Sequence, residues 1–145
     1  MSTKEIYQRL REITVFLEHG DRLTLETVLL EPLSYNALLL LDGEPGLRMG
    51  ELRGRLLCDK SRATRVVDRL EQFGLAERVE DPLDRRATRV VITPKGEAQL
   101  ARARQVHDAS LEKRFGTLSQ REQEQLEGLL NKLTASLAQQ YAATT

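Results

Sequence analysis

One stretch breaks the period of an otherwise helical chain. Leu75 to Glu80 and Thr88 to Thr93 read as strands, the second β-branched along most of its length. Between them Asp81-Pro82-Leu83-Asp84-Arg85-Arg86-Ala87 is rich in turn formers. The spacing predicts a hairpin with a charged tip. Asp59 stands before it as an N-cap for a helix over Lys60 to Phe73, in which Ala63, Val66, Val67 and Leu70 form one apolar stripe. Gly74 closes that helix in the left-handed conformation. Met49, Leu52, Leu56 and Leu57 fit a shorter helix upstream. Two short helices joined by a tight turn and followed by a hairpin make a winged helix-turn-helix.

Helices flank this unit. Ile6, Leu10, Ile13, Phe16 and Leu17 recur at helical spacing, and Gly20 and Asp21 are expected to end or bend that helix. Leu23, Leu25, Val28, Leu29 and Leu30 form a second apolar set before Pro32. Ser34 is an expected N-cap for a helix over Tyr35 to Asp42, and Gly43-Glu44-Pro45-Gly46 reads as a turn. Thr93-Pro94 opens a long helix with Leu100, Ala103, Val106, Leu111 and Phe115 along one seam. Ser119 and Glu122 form a capping box for a last helix, whose Leu126, Leu130, Leu133 and Leu137 step by four, three and four. These seams need somewhere to bury, which points to dimerisation. The expected fold is mainly α with a small β-hairpin wing: an N-terminal dimerisation region over 1–33, a DNA-binding lobe over 34–96 and C-terminal dimerisation helices over 97–145.

Composition narrows the class. The 145 residues fit one domain, or a core with an oligomerisation extension. A single Cys rules out an intrachain disulfide, and with two His it leaves too few soft ligands for a typical structural zinc site, so no metal or cofactor is expected. The longest apolar run, Ala37 to Leu41, falls far short of the roughly 20 residues of a membrane helix. Met1 to Ile6 carries no signal-peptide core. The expectation is a cytoplasmic protein without membrane contact. There is no Gly-rich phosphate loop, metal-ligand spacing or nucleophile elbow, and Glu18-His19 and His107-Asp108 are adjacent pairs that diverge on a helix. An enzyme is not expected. Net charge is zero, but Arg48 to Lys95 holds 12 basic and 8 acidic residues, a local excess of +4 that the remaining 10 basic and 14 acidic residues offset. For binding the local field counts.

Leu52 to Gly96 resembles the MarR family of bacterial transcriptional regulators. The residues that carry the likeness are Thr64-Arg65-Val66-Val67-Asp68-Arg69-Leu70-Glu71, Gly74-Leu75-Ala76-Glu77-Arg78, Asp81-Pro82-Leu83-Asp84-Arg85-Arg86 and Val91-Ile92-Thr93-Pro94-Lys95-Gly96. The resemblance implies a homodimer built from the terminal helices, including Ile6, Leu10, Ile13, Val106, Leu111, Leu126, Leu130, Leu133 and Leu137. It implies a recognition helix and wing presented to pseudo-palindromic double-stranded DNA, and repression relieved by a small ligand or an oxidant. Two stretches depart from the pattern. Leu57 and Cys58 stand where the turn often carries Gly and an apolar residue, and Leu23 to Leu33 has no specific counterpart.

A recognition helix reads base edges through its N-terminal residues. Ser61, Arg62 and Arg65 sit there, with Lys60, Thr64 and Arg69 as phosphate contacts. The alternative is a merely solvated face; the neighbouring basic wing favours DNA. By resemblance Arg86 enters the minor groove and Asp84 braces a nearby Arg, with Arg85 on phosphate. The alternative there is an ordinary surface pair. His19, Arg22 and Tyr35 are candidates for a small phenolic or carboxylate ligand, against solvated helix-end and core roles. Cys58 precedes the recognition helix and is a candidate oxidant sensor, against the reading of a small hydrophobe filling the turn. His107 is expected at the surface or on the seam. A non-regulatory DNA-binding or architectural protein and a protein-interaction module stay open as alternatives.

Overall fold

The computed structural model describes residues 1–43 and 45–142. Glu44, inside the expected turn, and residues 143–145, the end of the expected C-terminal region, lie outside the described residues. Contacts divide the chain into two units, Met1–Asp108 and Ala109–Thr145.

The first unit opens with α1 (Thr3–Glu26), started by a Ser2–Glu5 capping box. The helix runs straight through Gly20 and Asp21, correcting the expected break. It ends where Leu29 turns left-handed (φ 58°) and the Leu30 N–H returns to the Leu25 carbonyl at 3.0 Å, which buries Leu25, Val28 and Leu30. Helix α2 (Pro32–Leu41) starts earlier than expected. Glu31 is its N-cap and Pro32 its first residue, because a proline there sacrifices no hydrogen bond; Ser34 is buried inside the helix rather than capping it. Ala37, Leu38 and Leu41 are fully buried.

A strand that the sequence reading missed, β1 (Leu47–Arg48), leads directly into α3 (Met49–Leu56). Leu57 is not part of that helix. It is the left-handed C-cap (φ 55°, ψ 41°) with its side chain 91% exposed. Helix α4 (Lys60–Gln72) matches the expected stripe: Ala63, Val66, Val67 and Leu70 are buried. Gly74 (φ 71°) closes it, with Leu75 N–H on the Leu70 carbonyl at 2.8 Å and Gly74 N–H on that of Glu71 at 2.9 Å. Strands β2 (Ala76–Glu80) and β3 (Thr88–Ile92) form the expected hairpin, in register from Ala76 opposite Ile92 to Glu80 opposite Thr88. β1 pairs on the other edge of β3, Leu47 opposite Val90, so the antiparallel sheet has the order β1-β3-β2.

Helix α5 (Pro94–Phe115) begins against the end of α4. The Thr93 hydroxyl donates to the Gly74 carbonyl and accepts the Gly96 N–H, and Lys95 Nζ donates to the Phe73 carbonyl at 2.8 Å. Leu100 and Ala103 join Leu25, Leu38, Leu41, Leu52, Val67, Leu70 and Val90 in one core, and Val106 packs against it.

In the second unit, Ser119 and Glu122 make the expected capping box of α6 (Gln120–Tyr141), and the Gln123 amide donates to the carbonyls of Phe115 and Leu118. Leu126 is half-buried, while Leu130, Leu133 and Leu137 are about 40% exposed. No helix of the described residues is long and apolar enough to cross a membrane.

Candidate nucleic-acid interface

The buried stripe of α4 dictates what its other face presents. Lys60, Ser61, Arg62, Arg65 and Arg69 are all exposed. Asp59 caps the helix by accepting the Arg62 N–H at 2.8 Å. Two cations, Lys60 and Arg62, occupy the first turn and no acidic residue does. They oppose the helix dipole, at a cost of about 0.3–1 kcal/mol each. Their placement therefore does not serve helix stability. Thr64 is half-buried and its hydroxyl donates to the Lys60 carbonyl at 2.9 Å. Arg69 lies near the far end, 3.1 Å from Glu31 and stacked over the Phe73 ring at 5.8 Å.

The wing is braced to α4. Arg78 on β2 donates to Glu71 at 2.8 Å and to Asp68 at 2.7 Å, while its backbone N–H also reaches Glu71. Partial burial works against its charge, but the two carboxylates outweigh that and hold its pKa above the ordinary arginine value. At the tip Arg85 and Arg86 are exposed. The Asp84 carboxylate accepts the backbone N–H of Arg86 at 3.0 Å, a local turn contact. The bracing role expected of Asp84 falls to Asp81. Its buried carboxylate takes Arg48 Nε at 2.8 Å, Arg89 Nε at 3.0 Å and the Leu83 N–H at 2.8 Å. The Leu83 amide and the two guanidiniums outweigh desolvation and lower its pKa from 3.8 to about 2.

The cations of the lobe thus fall into two groups. Arg48, Arg69, Arg78 and Arg89 are each committed to a carboxylate. Among the described residues, the side chains of Lys60, Arg62, Arg65, Arg85 and Arg86 have no hydrogen-bond or ion-pair partner. Sequence periodicity puts all of the α4 cations on one face. It does not show which are already engaged, because Glu31 lies far from Arg69 in sequence.

The expected ligand trio is not brought together. Tyr35 is buried, its ring tilted against that of His107 at 5.0 Å. Desolvation, then Asp108, raises its pKa. His107 is not a surface residue: its side chain is 14% exposed and its Nε2 lies 2.9 Å from Asp21. His19 is exposed. Arg22 instead lines an open cleft of about 1200 Å³, together with Leu29, Arg62, Arg69, Phe73 and Lys95. Cys58 is half-buried, immediately before the N-cap of α4.

A MarR family model matches residues 30–87. The chain is 32% identical over 93 residues to the uncharacterized HTH-type transcriptional regulator YsmB of Bacillus subtilis (64% of each chain), so the match takes in just under two thirds of that relative. It is 30% identical over 127 residues to the transcriptional regulator HosA of Escherichia coli O111:H-, which covers 88% of this chain and 93% of HosA. Among solved structures, the transcriptional repressor CouR bound to a 23-mer DNA duplex superposes with a TM-score of 0.81 at 27% identity, over 92% of this chain and 98% of that one.

Proposed function

The chain belongs to the MarR family, and from that premise we propose that it is a homodimeric, sequence-specific DNA-binding repressor released by a small ligand. The observation that carries the reading is the set of five unpartnered cations on the first turns of α4 and on the wing tip. In this reading Arg62 and Arg65 bond guanine edges in the major groove, each good bidentate pair worth about 1–3 kcal/mol of discrimination. Lys60, Ser61, Thr64 and Arg85 hold phosphates, which fix register without reading sequence. Arg69 reaches phosphate only by giving up Glu31. Arg86 enters the minor groove, where a narrow A·T tract concentrates negative potential.

Two further observations support the finer points. On α1 Ile6 and Ile13 are nearly half exposed and Leu10 is half-buried; on α6 the leucine seam is likewise uncovered. A second copy would bury both, and twofold symmetry would set half-sites roughly 10 bp apart. Val106 is spent mainly on its own core. Arg22, Arg62, Arg69 and Lys95 beside Leu29 and Phe73 give the cleft cationic and apolar walls, which suit an aromatic carboxylate. A ligand there would sit beside Arg62 and Arg69 of the recognition helix.

The test is fluorescence anisotropy on the duplex upstream of the protein's own gene and on fragments enriched from the genome, with scrambled controls and a salt series. With about four phosphate contacts per dimer, log Kobs should fall with log salt at a slope of about −4. Arg86→Ala should weaken selective binding by about tenfold while fold and dimer persist. Equal weak binding to every duplex would overturn the regulator reading. A monomer at micromolar concentration by light scattering would overturn the dimer. Benzoate that leaves operator affinity unchanged would remove aromatic acids as effectors.

A further inference from the structure

Among the described residues Asp81 is the one buried carboxylate, and nothing in DNA contact as proposed above uses it. It stands directly after β2, where its N–H bonds the Ala87 carbonyl across the base of the tip at 3.1 Å. Oδ1 accepts the Leu83 N–H, the first free amide of the tip, since Pro82 has none. Oδ2 accepts Arg48 from β1 and Arg89 from β3. Arg89 Nη1 donates onward to the Gly46 carbonyl at 2.9 Å, in the segment leading into β1. One side chain therefore ties both other strands and the tip to the end of β2. Arg48 is followed at once by α3, so the tie also reaches the helix-turn-helix. A buried charge with all its neighbours as donors is costly to unpair, and its removal leaves two guanidiniums facing one another.

We propose that Asp81 is the positioning residue of the wing: it fixes where Leu83, Arg85 and Arg86 are held relative to α4, and so sets how tightly the tip engages a groove. The proposal rests on the regulator reading for its DNA consequence, but the wing's order can be read on the free protein. Asp84, three residues on, shapes only its own turn.

Asp81→Asn preserves shape and removes the charge. Hydrogen exchange of the tip amides in the free protein should accelerate by about tenfold or more, with α2 and α4 unchanged. Operator affinity should fall about tenfold. That loss should vanish in an Arg86→Ala background, because Asp81 acts through the tip; a residue that only stabilised the fold would give independent, multiplying losses. Arg48→Ala leaves Arg89 in place and serves if Asp81→Asn does not fold, with smaller changes in the same direction. Unchanged tip exchange in either variant, or multiplying losses, overturns the proposal. If the unaltered protein fails to distinguish operator from scrambled DNA, the regulator reading falls, and tip exchange still decides whether Asp81 orders the wing.

Discussion

Leu29 closes α1 with the same bond pattern that Gly74 uses to close α4. In each, the residue after the cap is left-handed and the next N–H reaches back five residues: Leu30 to Leu25 at 3.0 Å, Leu75 to Leu70 at 2.8 Å. Glycine takes that conformation freely, whereas an L-side chain loses about 1–2 kcal/mol there. The Leu29 side chain returns little in exchange, because it is 86% exposed. Leu29→Gly should relieve the backbone cost. The freer unfolded chain takes back about 0.4–1 kcal/mol. The net expectation is a gain of about 0.5–1 kcal/mol, or roughly 1–4 °C in melting temperature for a chain of this size. The assay is thermal unfolding by circular dichroism on ligand-free protein, with Gly74→Ala as the converse, expected to lose about 1 kcal/mol. A lower melting temperature for Leu29→Gly would refute the reasoning. It would mean that the leucine is covered in the assembled protein and that its burial exceeds the backbone strain.

Gly96→Ala should be severe. A Cβ there would lie 2.0 Å from the Leu75 carbonyl oxygen and 2.8 Å from Ile92 Cγ1. The clash is with backbone, so α5 must move off the sheet, at a cost of about 3 kcal/mol or more, visible as a large drop in urea midpoint. Acid sensitivity should carry the signature of Asp81. Its folded pKa of about 2 lies below the ordinary 3.8, so its contribution is fully present above pH 4 and is lost as pH falls from there through 2. Asp81→Asn should flatten the stability curve in that window; an unchanged slope between pH 4 and 2 would contradict the pairing.

The parts of this fold written in local pattern were legible. The stripe Ala63, Val66, Val67, Leu70 at helical spacing, the Asp59 cap, the Gly74 stop and the hairpin were each expected and each present. What was missed has a common cause. Strand β1 is two residues long and owes its existence to β3, forty residues away. Gly20 resembles a stop, but the helix bonds on either side of it continue to Glu26. Ser34 looks like a cap, yet Pro32 upstream was the stronger signal and had already begun the helix. Asp81 looked like one more turn former before a proline. Its two arginines lie at 48 and 89, and only the sheet brings them to it.

The same limit governs the candidate site, and it bears on how the cations should be read. Exposed ion pairs are worth about 0–1 kcal/mol each, so a chain selected for stability alone gains little by pairing Arg65 or Arg86. It would, however, gain by moving Lys60 and Arg62 out of the first turn of α4, where the dipole disfavours them. The chain instead sets them behind an Asp59 cap, worth about 1 kcal/mol, which roughly offsets them. It also spends Arg48, Arg78 and Arg89 on holding the wing. The paired arginines build a rigid frame, and the frame presents the unpaired ones. Substituting a frame residue should therefore lower selectivity among DNA sequences, whereas substituting Lys60 or Arg85 should lower affinity for all of them alike and make the salt slope shallower by about one. If Lys60→Ala changed selectivity instead, the division between frame and contact would be wrong.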